Sequence, residues 1–82
     1  MSEIKIKFYS VYLEYPTNWG YEIENIKYFS DLKEAEEYAL ELYKILKEDS
    51  KDTDDDIAVI IQDEKRKLIK GWRNESGKIE EL

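Results

Sequence analysis

The sequence predicts a small α+β domain in which one amphipathic helix packs on a mainly antiparallel four-stranded sheet. The chain has 82 residues, which is enough for one domain. Apolar residues recur at a spacing of about 3.6 from Leu32 to Leu46, as they do on one side of a helix. Short alternating or β-branched runs flank that stretch. We therefore expect the order β-β-α-β-β, with residues 1–74 forming the domain and 75–82 a loose tail.

The first strand shows two alternations in sequence. Apolar residues alternate with lysines over residues 4–8, and the apolar set then moves to the odd positions of residues 9–15. A bulge near Tyr9, or a strand that is covered on both faces, would produce this change. Residues 16–20 contain Pro16 and Gly20 and are predicted to form a turn.

The second strand is predicted over residues 21–29 and also changes parity, between Ile23 and Ile26. The helix then begins at Asp31, an N-cap residue, and Glu34 three positions later completes a capping box. The residues of its predicted buried side are Leu32, Ala35, Ala39, Leu42 and Leu46. Because this side must face the sheet, the opposite side faces water.

The second half of the chain predicts a loop and another hairpin. Residues 49–56 are almost wholly polar and acidic. Residues 57–61 are β-branched and apolar at both parities, which is typical of a central strand. Residues 63–66 are predicted to form a turn, and residues 67–73 a partner strand.

The net charge of −7 is concentrated in residues 30–56. That segment holds eleven carboxylates and four lysines, whereas acids and bases balance in the other 55 residues. A second, weaker bias lies in residues 63–78, which hold six bases and three acids. An acidic chain repels phosphates, so direct binding to nucleic acid is not expected.

The residue types on which most enzymes depend are missing from the chain. It contains no His and no Cys, so we expect no catalytic residue, no cofactor and no metal ligand set of the usual kinds. Asp52, Asp54 and Asp56 are spaced like the first ligands of a calcium-binding EF-hand loop, with Asp63 at the twelfth position. Ile57 occupies the position where that loop needs Gly, so weak Ca²⁺ or Mg²⁺ binding stays open.

Two other kinds of site are alternatives. Glu14, Glu22 and Glu24 could line a concavity for acid–base chemistry, although a domain of this size offers little room for a cleft. Aromatic residues of the sheet could stack single-stranded nucleobases beside the basic hairpin of residues 65–73. The aromatics in question are Tyr9, Tyr12, Tyr28 and Trp72.

The acidic side of the helix is the leading candidate for a binding surface. Residues three or four apart lie next to each other on a helix, so its glutamates form a row that the acidic loop continues. Trp19, in the first turn, is a candidate aromatic anchor. The predicted partner-binding residues are Glu34, Glu37, Glu41, Glu48, Asp52, Asp54, Asp55, Asp56 and Trp19.

In size, acidity and lack of catalytic residues the chain is similar to small antagonist proteins of phages and mobile elements. These include anti-CRISPR and anti-restriction proteins, some of them DNA mimics, and immunity proteins that neutralise basic nucleases. The resemblance covers composition only. It implies a non-enzymatic inhibitor whose partner is a basic nuclease or nucleic-acid-binding effector. The alternative is a homo-oligomerising interaction or structural domain. We therefore expect the protein to be either a monomer or a homodimer.

No apolar run is long enough for a membrane span, so we expect a cytoplasmic protein, in the host cytoplasm if phage-encoded.

Overall fold

A computed structural model describes residues 7–49, 57–75 and 78–82 of the chain. Within these residues one helix and five strands are present. Their bounds are β1 (Tyr9–Thr17), β2 (Gly20–Phe29), α1 (Leu32–Asp49), β3 (Ala58–Gln62), β4 (Leu68–Glu75) and β5 (Lys78–Glu81).

The strands form a single sheet in the order β2-β1-β3-β4-β5, and all neighbours are antiparallel. Strands β2 and β3 are therefore parallel to each other, with β1 between them. Helix α1 connects the end of β2 to the start of β3 and packs on one face of the sheet. The predicted α+β class, with one helix on an antiparallel sheet, is confirmed.

The sheet has one strand more than the sequence predicts. Strand β5 (Lys78–Glu81) lies in the segment that we expected to be a loose tail. Ile79 packs against the main core, and the Leu82 amide donates to the carbonyl of Gly71 at 2.8 Å. The strand has a single half-buried apolar residue, so its sequence shows no alternation strong enough to predict it.

The first hairpin is closed by Asn18 and Trp19, between Thr17 of β1 and Gly20 of β2. The hydroxyl oxygen of Thr17 accepts from the Trp19 amide at 3.2 Å and donates to the Gly20 carbonyl at 3.1 Å. Gly20 has a φ of 125°, which only glycine adopts without strain. The turn is thus shorter than the predicted 16–20, because Pro16 and Thr17 still belong to β1.

A bulge in β2 accounts for the change of parity between Ile23 and Ile26. The pairing with β1 shifts between Leu13 and Val11, and Asn25 adopts a φ of 57°. Asparagine tolerates this left-handed conformation better than most residues do. The extra residue returns Ile26 to the face of the sheet on which Ile23 lies, where both line the same groove.

The core lies between α1 and the two central strands. Asp31 caps the helix by accepting a hydrogen bond from the Lys33 amide at 3.1 Å. The predicted buried side is confirmed: Ala35, Ala39, Leu42 and Leu46 are buried, and Leu32 is half-buried. They pack against buried apolar residues of β1, of β3 and of the position just before β3, which are Val11, Leu13, Val59, Ile61 and Ile57.

Asp63 organises the turn between β3 and β4. Its carboxylate accepts hydrogen bonds from the amides of Lys65 and Lys67, both at 2.8 Å. Arg66 between them has a φ of 63°. The residue at the twelfth position of the calcium-like pattern therefore binds backbone amides of its own turn, while Asp52, Asp54 and Asp56 lie outside the described residues.

No helix in the described part of the chain combines the length and the apolar character that crossing a bilayer requires.

Candidate functional site

The outer side of α1 presents a row of carboxylates to solvent. Glu34, Glu37, Glu41 and Glu48 are all exposed, as the burial of the opposite side requires. Within the described part of the chain, no ion pair joins any of these four glutamates to a base. We refer to these four residues as the acidic face.

The acidic face borders strand β2 across a shallow groove of about 330 Å³. The groove is lined by Glu34, Glu37 and Glu41 of the helix and, among others, by Lys27 of β2. Tyr38 lies between the two elements: its hydroxyl donates to the Asn25 carbonyl at 2.7 Å, and the Lys27 ammonium lies 4.7 Å from its ring centre. Burial raises the pKa of the Tyr38 phenol above its ordinary value, and the Glu41 carboxylate raises that pKa further. The charge of Glu41 therefore acts on the neighbouring Tyr38 phenol.

Two bases of the second hairpin, Lys70 and Arg73, form ion pairs on the sheet. The Arg73 guanidinium lies 3.4 Å from the Glu14 carboxylate, and the Lys70 ammonium lies 3.8 Å from that of Glu81. Lys70 also lies 5.3 Å from the ring centre of Trp72. These two contacts join the hairpin to β1 and β5, so neither base forms an ion pair with the acidic face.

Trp19 lies at the tip of the first hairpin and is 98% exposed. Strand β1 pairs with β3 only from Ser10 to Glu14, so the hairpin extends beyond the start of β3. The Trp19 ring is therefore not folded back onto Tyr15 or Tyr21. The other predicted partner-binding residues, Asp52, Asp54, Asp55 and Asp56, lie outside the described residues.

A second surface is the sheet face that α1 does not cover, which we call the open face. A groove of about 560 Å³ crosses it, a volume within the range of small-ligand pockets. The groove lies between β2 and the β3–β4 turn and is lined by Phe8, Ser10, Tyr12, Ile23, Ile26, Tyr28, Gln62, Asp63, Glu64 and Arg66. This groove is not among the sites predicted from the sequence, although the break in alternation between Ile23 and Ile26 was the available signal.

The aromatics predicted as a nucleobase platform are divided between the two faces. Tyr9 packs against the core under the helix, and Trp72 makes an edge contact with Tyr43 of α1, with ring centres 5.3 Å apart. Tyr12 and Tyr28 lie on the open face. The four rings therefore do not form one stacking surface. The carboxylates suggested for acid–base chemistry are also dispersed, because Glu14 pairs with Arg73 while Glu22 and Glu24 are exposed on β2.

We expect the protein to lose stability at alkaline pH because of the buried Tyr12 phenol. Burial raises the pKa of its phenol above the ordinary 10.0, and the Glu14 carboxylate raises it further, while a hydrogen bond with Gln62 opposes them. Above about pH 10 the folded state keeps a proton that the unfolded state releases. The contribution of the Tyr12 phenol to the free energy of unfolding is therefore fully present below about pH 10 and is lost as the pH rises above it. In urea unfolding between pH 8 and 11, the free energy of unfolding should fall more steeply with pH for the wild type than for Tyr12→Phe. Equal slopes would contradict the assignment to Tyr12.

Comparison with family models, with curated proteins and with solved structures finds no match for this chain.

Proposed function

We propose that this protein is a cytoplasmic, non-enzymatic binding protein whose acidic face engages a basic protein that processes nucleic acid. In this role it acts as an antagonist, in the manner of anti-defence proteins, DNA mimics or nuclease immunity proteins. The observation that carries the proposal is the row of exposed glutamates Glu34, Glu37, Glu41 and Glu48, without an ion-paired base in the described part of the chain.

The spacing of the row supports a protein that occupies a groove built for nucleic acid. Positions three or four apart on a helix have Cβ atoms roughly 5–6 Å from each other. Glu34, Glu37 and Glu41 have this spacing, whereas Glu48 lies seven residues after Glu41 and exposed Lys44 lies between them. Double-stranded DNA likewise carries a regular series of closely spaced negative charges. Carboxylates in such a row can take the place of phosphates against the lysines and arginines of a basic groove.

The energetics of the helix support a use for these charges. Glu37 and Glu41 are four apart, and a like-charged pair at this spacing destabilises a helix by a few tenths of a kcal/mol. Outside residues 30–56, acidic and basic residues balance each other. Association with a basic partner would relieve this repulsion, and opposite charges would accelerate encounter at low salt.

The decisive variant is Glu37→Lys with Glu41→Lys, which places two positive charges in the middle of the row. We expect it to lower affinity for a basic partner by at least about tenfold, because like charges then face each other across the contact. Candidate partners are first captured from a lysate at low salt on the immobilised wild-type protein. Each purified candidate is then tested for displacement of a duplex oligonucleotide by the wild-type protein and by the variant.

The matched control is Glu75→Lys with Glu80→Lys. It changes the net charge by the same amount, but at exposed positions of β4 and β5. This control should still displace the oligonucleotide, and added salt should weaken binding of both the wild type and the control. Equal displacement by all three proteins, or equal loss in both variants, would contradict recognition by the acidic face.

A further inference from the structure

Strand β2 has a free edge. It pairs with β1 along one side, and no other strand among the described residues lies along its other side. Every residue of the strand except Phe29 is exposed. An edge strand presents a row of unpaired backbone N–H and C=O groups that another strand can meet. At ten residues, β2 is long for an edge strand.

The same strand carries an exposed apolar stripe on the open face. Ile23, Ile26 and Tyr28 line the groove there, and Tyr21 lies two residues before Ile23 on the same face. All four are large and exposed, Tyr28 by 64% and Tyr21 by 61%. The bulge at Asn25 keeps both isoleucines on this face although they are three residues apart.

The order of residues along β2 is nearly the same in both directions. From residue 21 to 28 it is Tyr, Glu, Ile, Glu, Asn, Ile, Lys, Tyr. A second copy that runs antiparallel can therefore place Tyr21 opposite Tyr28 and Ile23 opposite Ile26. In that register Glu22 of each copy lies opposite Lys27 of the other.

We propose that β2 pairs antiparallel with β2 of a second copy of this chain in this register. The contact is then symmetric, as a two-fold dimer interface must be. It joins aromatic to aromatic and β-branched to β-branched side chains on the open face, and opposite charges on the other face. All three kinds of cross-strand pair are stabilising. The complementary charges of Glu22 and Lys27 are the reason to infer a second copy as the occupant of this edge.

The bulge falls at the symmetry axis, between two short paired segments. The Asn25 carbonyl already accepts a hydrogen bond from the Tyr38 hydroxyl at 2.7 Å. This carbonyl therefore needs no partner across the axis, and pairing is confined to residues 21–23 of one copy with 26–28 of the other. The acidic face borders β2 across the groove that Lys27 lines, so the second copy would lie beside it. The dimer is therefore tested with variants of β2 that leave Glu37 and Glu41 unchanged.

The register can be tested by cross-linking, because the chain has no cysteine of its own. In the double variant Tyr21→Cys with Tyr28→Cys, the thiol at position 21 of one copy lies opposite the thiol at position 28 of the other copy. Antiparallel partners have Cα atoms roughly 5 Å apart, within the range for a disulfide. Within one chain the two positions are seven residues apart, about 23 Å along a strand, so no internal bond can close.

Under mild oxidation we expect most of the double variant to run as a covalent dimer on a non-reducing gel. Each single-cysteine variant places its thiol opposite a tyrosine, so its yield should be at least about tenfold lower. These single variants are the control for collisional cross-linking. A yield for the double variant that is no higher than for the singles would overturn the register.

Sedimentation over a range of concentrations tests the dimer itself. The wild type should show a monomer–dimer equilibrium, and Ile23→Lys with Ile26→Lys should raise its dissociation constant at least about tenfold, because like charges then meet across the edge. Leu40→Lys, at an exposed position of α1, should leave the constant unchanged. A monomeric wild type up to millimolar concentration, or an unchanged constant in the β2 variant, would overturn the proposal. Neither result bears on the Glu37 and Glu41 experiment.

Discussion

Replacing Leu46 with alanine is expected to lower the free energy of unfolding by about 2–5 kcal/mol. The Leu46 side chain is fully buried against the central strands, in a cluster with Ile57 and Leu42. Truncation removes its apolar contacts and leaves a cavity that neighbouring side chains fill only in part. For a domain of this size the loss is a large share of a total stability of about 5–15 kcal/mol. Urea unfolding, or the shift in melting temperature, measures it.

Leu40→Ala is the matched control for this substitution. It removes the same atoms from the same helix, but the Leu40 side chain is 54% exposed on the solvent side. We expect a change within about 0.5 kcal/mol, as is usual for surface positions. Similar losses for Leu40 and Leu46 would mean that the helix packs on the sheet through a different side.

The helix could be predicted closely because its signals are local. A cap at Asp31 and apolar residues at helical spacing up to Leu46 specify both where the helix begins and which side is buried. The exposure of Glu37 and Glu41 follows from the same periodicity, since burying one side of a helix exposes the other. That part of the candidate site was therefore available from sequence.

Strand order and the open face could not be predicted, because they depend on contacts between distant segments. The residues of β2 resemble those of a covered strand, with Ile23 and Ile26 as apolar as residues of β3. Only the sheet order shows that β2 is at an edge and that these side chains lie outside the helix-covered core. Local alternation states which residues share a face, but not whether anything covers that face.

The division of the aromatics has the same origin. Tyr9 and Tyr12 are three apart on β1 and therefore lie on opposite faces, which the alternation of a strand does predict. The position of Trp72 depends on how β4 pairs with β3, where Trp72 lies opposite Val59 of the core face. This pairing is non-local, so sequence could not assign Trp72 to the side of the helix.

Gly71→Ala is expected to destabilise the domain by about 1–3 kcal/mol, although glycine weakens a strand in general. A Cβ at this position would lie 2.8 Å from the backbone carbonyl oxygen of Val59 in β3. It would also lie 3.2 Å from the Leu82 side chain and 3.3 Å from that of Ile60. Backbone cannot move aside as a flexible side chain can, so β3 and β4 must separate locally. Urea unfolding of the wild type and of Gly71→Ala measures the effect.

The double variant Gly71→Ala with Leu82→Ala separates the two sources of crowding. If the Val59 carbonyl causes the loss, shortening Leu82 does not restore stability, because the backbone contact at 2.8 Å remains. Recovery in the double variant, compared with Leu82→Ala alone, would place the clash at the C-terminal side chain instead. Full stability of Gly71→Ala would contradict the close approach of β4 to β3. Since Gly71 lies opposite Ile60 in the centre of the sheet, that result would also contradict the register of the second hairpin.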